Sequence, residues 1–249
     1  MKTFTVFLVT IFTLIAFTQN VHALDKKELL KSLVVPNNIS VGYNMKFLPS
    51  KDELSLETLS KNMDNDRMNP LWVYLYAQKL REKKLGEPFA FFANADILYS
   101  ELAKKRKLTG GEIANWAKSI EFLKGSSIAI EFAKAHLDPA LADRQKIYQF
   151  LAITYADSSF EVLLGIPDTI GGQGPTFEIN NIMEVYKEWR EENFQPNING
   201  AKENVKLASE NFTKAETSPN FGPNDYRDQG DIEAKIAFIN LFLDIFQTT

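Results

Sequence analysis

Histidine and cysteine, which often act as base or nucleophile near neutral pH, are almost absent from this chain. The sequence contains no cysteine and two histidines, His22 and His136. A cysteine nucleophile, a cysteine-ligated zinc site and an iron–sulfur cluster are therefore excluded. A serine–histidine–aspartate triad would have to use His136, because His22 lies in a predicted leader, and no Gly-x-Ser-x-Gly motif accompanies it. The position of His136 just before Asp138 and Pro139 predicts instead a cation at the end of a helix.

Carboxylates remain as candidate catalytic or binding groups, and two of them stand among apolar residues. Asp96 has Phe92 and Tyr99 as helical neighbours, and Glu131 lies within the apolar segment 128–133. Two acids in different environments are what a glycan hydrolase requires. The alternative is a partly buried acid that serves the fold through a hydrogen bond to a neighbouring helix or a tyrosine. We take Asp96 and Tyr99 as candidate ligand-binding residues.

The segment from Gly165 to Pro175 is the most unusual loop in the sequence. Glycine-rich turns before a helix can bind anions through backbone N–H groups. No Lys-Ser/Thr pair follows and no strand precedes it, so the segment is neither a P-loop nor a dinucleotide-binding turn. A tight turn between helices is the alternative, since glycine allows positive φ and close approach. If a ligand binds here, Gly171, Gly172 and Gln173 are the candidate contacts.

The first 23 residues have the three-part pattern of a secretory signal peptide. Met1–Lys2 provides the positive start, Thr3–Phe17 is apolar, and Val21–Ala23 matches a cleavage site. The pattern predicts cleavage after about Ala23 and a periplasmic or secreted protein. The apolar run is shorter than the roughly 20 residues that span a bilayer. We therefore expect no stable membrane insertion after cleavage.

Composition narrows the classes of partner and cofactor. The net charge of −4 argues against a nucleic-acid partner. The segment Met63–Asp66 resembles the start of a calcium loop, but Asn69 and Leu75 stand where the glycine and the closing acid are required. We predict no cofactor and no metal. The ligand would be a protein partner or a small molecule.

Capping signals and apolar spacing predict an all-α fold. After the signal peptide, residues 24–68 are expected to form short helices and an irregular segment, and residues 69–249 a helical-repeat-like domain. Neither hairpin signals nor convincing strand alternation is present. The helices of the second region are predicted to begin near Asn69–Pro70, Pro88, Thr109, Ser126, Asp138–Pro139, Thr176, Pro196 and Asp231.

Helix starts spaced by about 34 to 40 residues in pairs fall in the range of helix-hairpin solenoids. The segment Tyr226–Asp231, followed by Ala234–Leu243, resembles the helix–turn–helix unit of tetratricopeptide-like repeat proteins. The segment Ile166–Gly172 is similar to a Pro-then-Gly-Gly turn of extracytoplasmic repeat proteins associated with TRAP-type transporters, in which an acid usually stands where this chain has Gln173. The resemblance implies antiparallel helix pairs in a tetratricopeptide-like α-solenoid; an irregular helical bundle is the alternative.

Together, these features predict an exported, non-catalytic helical protein that binds a protein partner or a small ligand in the periplasm. Two other classes remain open. One is a carboxylate-dependent hydrolase of cell-wall glycans, and the other is an immunity or inhibitor protein against a secreted toxin.

Overall fold

A computed structural model describes residues 40–41, 54–164, 177–178, 197–223 and 225–247 of the chain. Contacts divide the chain into the units Met1–Asn38 and Ile39–Thr249, and every described residue belongs to the second. The predicted signal peptide lies outside the described residues. So do Gly171, Gly172 and Gln173, together with most of the helix predicted from Thr176.

Within the described ranges the protein is built from eight helices that pack against one another, and the all-α prediction is confirmed. A two-residue strand, β1, pairs antiparallel with a second, β2. In chain order the elements are β1 (Ser40–Val41), α1 (Leu56–Asn65), α2 (Pro70–Glu82), α3 (Pro88–Lys105), α4 (Gly110–Lys124), α5 (Ser126–Ala135), α6 (Gln145–Leu164), β2 (Phe177–Glu178), α7 (Ile198–Glu216) and α8 (Tyr226–Gln247).

Several helix starts lie where the sequence places them because side chains satisfy the first backbone N–H groups. The Asn69 side chain accepts a hydrogen bond from the Leu71 N–H, and Pro70 occupies the first position of α2. Thr109 and Glu112 form the predicted reciprocal capping box at the start of α4. Gly125, with φ of 93°, ends α4 in a backbone conformation that favours glycine.

Two predicted helix starts are wrong. Asp138 and Pro139 do not begin a helix: the Asp138 carboxylate accepts from the Ala140 N–H at 2.8 Å in a local turn, and α6 begins only at Gln145. An aspartate side chain can accept a hydrogen bond from the N–H two residues ahead in a turn as readily as it can cap a helix. Of the helix predicted from Thr176, the structure describes only Phe177 and Glu178, which form β2 and pair with β1 instead of beginning a helix.

The chain around Gly230 also differs from the prediction. The helix α8 runs without interruption from Tyr226 to Gln247, so the turn expected at Gly230 is absent and the helix begins five residues before Asp231. A Cβ added at Gly230 would meet nothing within 4 Å. The glycine therefore stands at an open helical position, where it is tolerated at a modest cost in stability.

The helix α6 lies at the centre of the fold. Each helix from α1 to α5 packs against the next along the chain, and α6 packs against α4, α5, α7 and α8. Small side chains on α6 and α7 allow close approach: Ala152, Ala156, Ala201 and Ala208 are fully buried. None of the described helices is long and apolar enough to cross a membrane.

A carboxylate joins the start of α4 to the segment that leads into α6. The two oxygens of Asp143 accept hydrogen bonds from the N–H groups of Gly110 (2.7 Å) and Gly111 (2.8 Å). A negative charge at this helix end is favoured because the first N–H groups point outward and carry partial positive charge. A Cβ on Gly110 would overlap the backbone carbonyl oxygen of Asp143, whereas a Cβ on Gly111 would lie 3.5 Å from the carboxylate.

The pair Gly110 and Gly111 therefore offers a matched test of this junction. We expect Gly110→Ala to lower the free energy of unfolding by about 2 kcal/mol or more, since the overlapping group is backbone and cannot rotate away. Gly111→Ala should stay within about 1 kcal/mol of the native protein. Urea unfolding followed by circular dichroism measures both values. Equal effects of the two substitutions would contradict the close packing of Gly110 on Asp143.

Candidate functional site

A cleft of about 600 Å³ opens between α4, α6, α8 and the loop that connects α7 to α8. The helix α6 forms its base, and the other elements form its walls. The cleft is lined mainly by polar and charged side chains, with apolar groups toward α6 and α8. The lining comprises Gly111, Ala114, Asn115, Lys118, Asp143, Gln145, Lys146, Gln149, Phe150, Ile153, Asn220, Asp225, Asp228, Asp231 and Ile232.

An ion-pair network ties α6 to the start of α8 along one wall. The ammonium of Lys146 lies 2.8 Å from Oδ1 of Asp225 and 3.1 Å from Oδ2 of Asp228. Burial opposes the charge on Lys146, but the two carboxylates outweigh it and raise the pKa of Lys146 above its ordinary value. Asp225 also accepts from the Gly222 N–H at 3.0 Å. The network fixes the loop at the mouth of the cleft.

Two glutamines one helical turn apart on α6 lie at the base of the cleft. Both Gln145 and Gln149 are only 5% exposed. The Nε2 of Gln145 donates to the carbonyl oxygen of Asn220, and the Nε2 of Gln149 donates to the carbonyl oxygen of Asp225, each at 3.2 Å. Because only the nitrogen end of an amide can donate to these carbonyls, the orientation of both side chains is set.

This orientation leaves two buried acceptors without a donor. The Oε1 atoms of Gln145 and Gln149 accept no hydrogen bond from the described protein atoms and are closed to solvent. A buried acceptor without a donor costs about 1–3 kcal/mol. Both oxygens therefore belong to the packed layer beneath the cleft, whose more accessible polar groups include Asp143, Lys146 and Asp228.

Deeper along the same three helices lies a cluster of buried charged groups. Lys235 of α8 is 3% exposed and pairs with Asp157 of α6. Glu121 of α4 is 9% exposed. Burial, followed by the charge of Asp157, raises the pKa of Glu121 from 4.5 to about 7, and Lys118, Arg81 and Lys235 lower it in part. These residues lie one helical turn beyond the lining positions 118, 153 and 232.

A second, shallower cleft of about 520 Å³ lies on the opposite side of the α4 N-terminus, and Gly111 and Asn115 line both. An ion pair stands at its edge: Arg106 donates to Glu112 at 2.9 Å and lowers the pKa of that carboxyl. The carboxylate of Glu112 is thus engaged both by its capping box and by Arg106.

The structure places the predicted residues Asp96 and Tyr99 outside both clefts. Trp116 Nε1 donates to Oδ1 of Asp96 at 2.6 Å, and Lys124 lies 3.1 Å from Oδ2. Tyr99 is fully buried and stacks on Trp116, and its burial raises the pKa of its phenol. Both side chains hold α3 against α4, in agreement with the alternative interpretation of Asp96.

The other groups singled out from the sequence do not converge on a site. His136 follows the last residue of α5, where its Nδ1 lies 2.8 Å from the Phe132 carbonyl oxygen and its ring stacks on Phe132. Glu131 is exposed. Gly171, Gly172 and Gln173 lie outside the described residues and stay predictions. Across the described ranges, no group of three or more His, Cys, Asp or Glu residues is placed to hold a metal ion.

The cleft could not be predicted from the sequence because the polar groups that line it come from three separate segments of the chain. Gln145 and Gln149 are separated by four positions in a helix whose other residues are mainly apolar. Two amides on one stripe of such a helix are a signal of a polar surface that must be satisfied. Asp225 and Asp228 are distant in sequence and carry no motif.

No protein-family model, no curated protein and no solved structure matched this chain. The function must therefore be argued from the cleft itself.

The raised pKa of Glu121 predicts a pH-dependent contribution to stability. The folded protein keeps this proton between about pH 4.5 and pH 7, where the unfolded chain loses it, so the stabilisation is complete below that range and is lost as the pH rises through it. A shift of this size corresponds to about 3 kcal/mol. We expect Glu121→Gln to be more stable than the native protein by up to about that amount at about pH 8, and to lose the advantage near pH 5.

Glu131→Gln, at an exposed position on α5, is the control for this experiment. Urea unfolding of the three proteins at a series of pH values should show a pH-dependent difference for Glu121→Gln alone. A difference that does not change with pH, or one that Glu131→Gln shares, would show that Glu121 ionises normally.

Proposed function

We propose that this protein is an exported, non-catalytic helical binding protein whose cleft between α4, α6 and α8 binds a small polar ligand that donates hydrogen bonds. The observation that carries the proposal is the cleft itself, a recess of about 600 Å³ between three helices with four aspartates in its lining. Carboxylates accept hydrogen bonds and donate none, so a ligand that donates hydrogen bonds suits this lining.

A small molecule fits this cleft better than a protein surface does. Its volume of about 600 Å³ lies within the roughly 300–1,000 Å³ of small-molecule sites. Its polar groups stand at the base of a recess between three helices, where a compact ligand reaches them and a flat surface does not.

The location and the family resemblance belong to this proposal as well. The sequence pattern of residues 1–23 supports export and cleavage after about Ala23. Contacts between each helix from α1 to α6 and the next are compatible with helix pairs of the tetratricopeptide-like kind. We retain that arrangement as part of the proposal.

The hydrolase alternative receives no specific support from the acids named for it. Asp96 is bonded to Trp116 and Lys124, and Glu131 does not line either cleft. In the cleft itself, Asp225 and Asp143 are held by Lys146 and by two backbone N–H groups. Such carboxylates are fixed as hydrogen-bond acceptors, whereas a general acid needs a proton to donate.

Nuclear magnetic resonance with a panel of small donors tests the proposed binding site. The panel consists of putrescine, butanediol, arginine, glucose and N-acetylglucosamine. We expect at least one member to shift backbone amide signals of Gln145, Gln149 and their neighbours in the cleft, because it donates hydrogen bonds to the aspartates of the lining. Shifts confined to the second cleft, or none from any member, would overturn the proposal.

A pair of matched variants assigns the effect to the cleft. Asp228→Asn replaces a lining carboxylate at constant size and should weaken binding of the active compound by about tenfold, because a charge-assisted hydrogen bond is lost. Glu131→Gln is the control: Glu131 is exposed on α5 and lines neither cleft. Equal affinities for the two variants would place the ligand elsewhere.

The predicted export and signal-peptide cleavage are tested by a separate experiment. Expression of the full chain in a bacterium with a secretory pathway should deliver a protein that begins at Leu24, as determined by intact mass of the periplasmic fraction. Recovery of the 249-residue chain from the cytoplasmic fraction alone would contradict export. The binding measurements above are independent of this result.

A further inference from the structure

We propose that the turn between α2 and α3 is a contact site for a membrane surface that carries anionic phospholipid headgroups. This turn, residues 83–89, lines neither cleft, so the inference is independent of the proposed binding function. It follows from the apolar side chains that the turn exposes, from its charge, and from the backbone conformation of Lys84.

The turn exposes two large apolar side chains. Leu85 is 49% exposed and Phe89 is 51% exposed. The ring centre of Phe89 lies 6.3 Å from that of Phe122, so the core supports this ring on one side and leaves the rest of it open. Leucine and phenylalanine are among the residues that enter the boundary between lipid headgroups and acyl chains. Leu85 and Phe89 therefore form a small apolar tip at the end of the α2–α3 pair.

Two lysines stand directly beside this apolar tip. Lys83 and Lys84 are exposed, and neither pairs with an acid in the part of the chain that the structure describes. Lysines next to an apolar tip are attracted to the phosphates of anionic lipids, while their flexible side chains keep the ammonium groups at headgroup level. The turn thus combines apolar contact area with charge that complements an anionic membrane.

The acids near the turn do not cancel this charge. Glu82 lies 3.4 Å from Lys79 and is balanced by it. Glu87 is exposed and stands at the first end of α3, where the partial positive charge of the helix N-terminus opposes its own. The whole chain carries a net charge of −4, but salt screens exposed charges beyond about 10 Å at 0.1 M ionic strength. The headgroups therefore respond mainly to the residues of the turn.

The backbone at Lys84 supplies an independent reason to assign a role to its side chain. Lys84 has a φ of 54°, in the left-handed region that favours glycine. The Leu85 N–H donates to the Leu80 carbonyl oxygen at 2.9 Å, the Schellman arrangement in which glycine usually takes the left-handed position. A lysine here lowers stability relative to glycine, and such a conformation at a non-glycine residue points to a function of the side chain.

A membrane fits this turn better than a protein surface does. A stable protein interface buries about 800 Å² on each partner and involves roughly 20–30 residues, whereas the apolar tip consists of Leu85 and Phe89. In a symmetric dimer through the turn, the lysines of one copy would face the same lysines of the other and repel them. A lipid surface requires only a small apolar tip with positive charge beside it.

Fluorescence from the turn itself tests the proposal. The chain contains no cysteine, so Leu85→Cys can be labelled at one position with the environment-sensitive dye NBD. Ile97→Cys is the matched control, because Ile97 is 62% exposed on α3 and lies outside the turn. With vesicles of phosphatidylglycerol and phosphatidylcholine in equal parts, we expect a blue shift and a gain in intensity at position 85 and no change at position 97. Because the readout is local, membrane contact through another segment of the chain does not imitate it.

The variant Lys84→Gly separates a membrane role of the lysine from a role in the fold. Glycine suits the positive φ at this position, so the variant should unfold at a higher urea concentration than the native protein. In vesicle titrations of the protein labelled at position 85, it should bind about fivefold more weakly, because one lysine is lost from the headgroup region. Lys202→Ser, at an exposed position on α7, is the charge control and should leave vesicle binding unchanged.

The outcomes decide the proposal in either direction. A response at position 85 that requires phosphatidylglycerol, weakens at high salt and falls in Lys84→Gly supports it. No response at position 85, equal responses at positions 85 and 97, or an equal response to phosphatidylcholine alone would overturn it. A dimer in sedimentation that Phe89→Ser dissociates would assign the turn to a second copy of the chain and would also overturn it. None of these results bears on the cleft.

Discussion

The burial of α6 on several sides is the constraint on which the rest of the structure depends. This helix packs against α4, α5, α7 and α8, and Ile147, Leu151, Ala152, Ala156 and Ser159 are almost completely buried along it. A helix covered in this way has to find partners within the protein for most of the polar side chains it carries. Its small residues permit α7 to approach closely, and its larger ones fill the space toward α4 and α5.

The polar side chains of α6 therefore determine where the fold can bind something. Gln145, Lys146, Gln149 and Asp157 all find partners on α8 or on the loop before it. These bonds hold α8 against α6 at a distance that leaves room beside α4. The cleft lies beside the polar pairing at the first two turns of α6, and further along the helix apolar packing surrounds the buried pair of Asp157 and Lys235.

Much of the fold followed from local signals in the sequence, whereas the site did not. Caps at Asn69 and Thr109 and the glycine at Gly125 marked helix ends because the chemistry there involves residues a few positions apart. The helix start predicted at Asp138 is wrong because an aspartate side chain can cap a turn as well as a helix. The sheet pairing of β1 with β2 and the uninterrupted helix through Gly230 depend on tertiary context.

The candidate site depends on contacts between residues that are far apart in the sequence. Gln149 meets Asp225, and Gly110 meets Asp143, across 76 and 33 positions. Asp96 was recognised correctly as a partly buried acid, but its partners Trp116 and Lys124 lie on another helix, so sequence alone could not decide between a ligand-binding and a packing role. One sequence alone does not show which residues, distant along the chain, are in contact in the folded protein.

The most direct test of the central claim is a crystal structure of the protein grown with the panel compound that binds most tightly. The proposed site requires a donor atom of that compound within hydrogen-bond distance, about 2.7–3.2 Å, of a carboxylate oxygen of Asp143, Asp225 or Asp228, with the ligand lying between α4 and α8. The compound bound instead beside Arg106 and Glu112, or absent from the cleft between α4, α6 and α8, would contradict it.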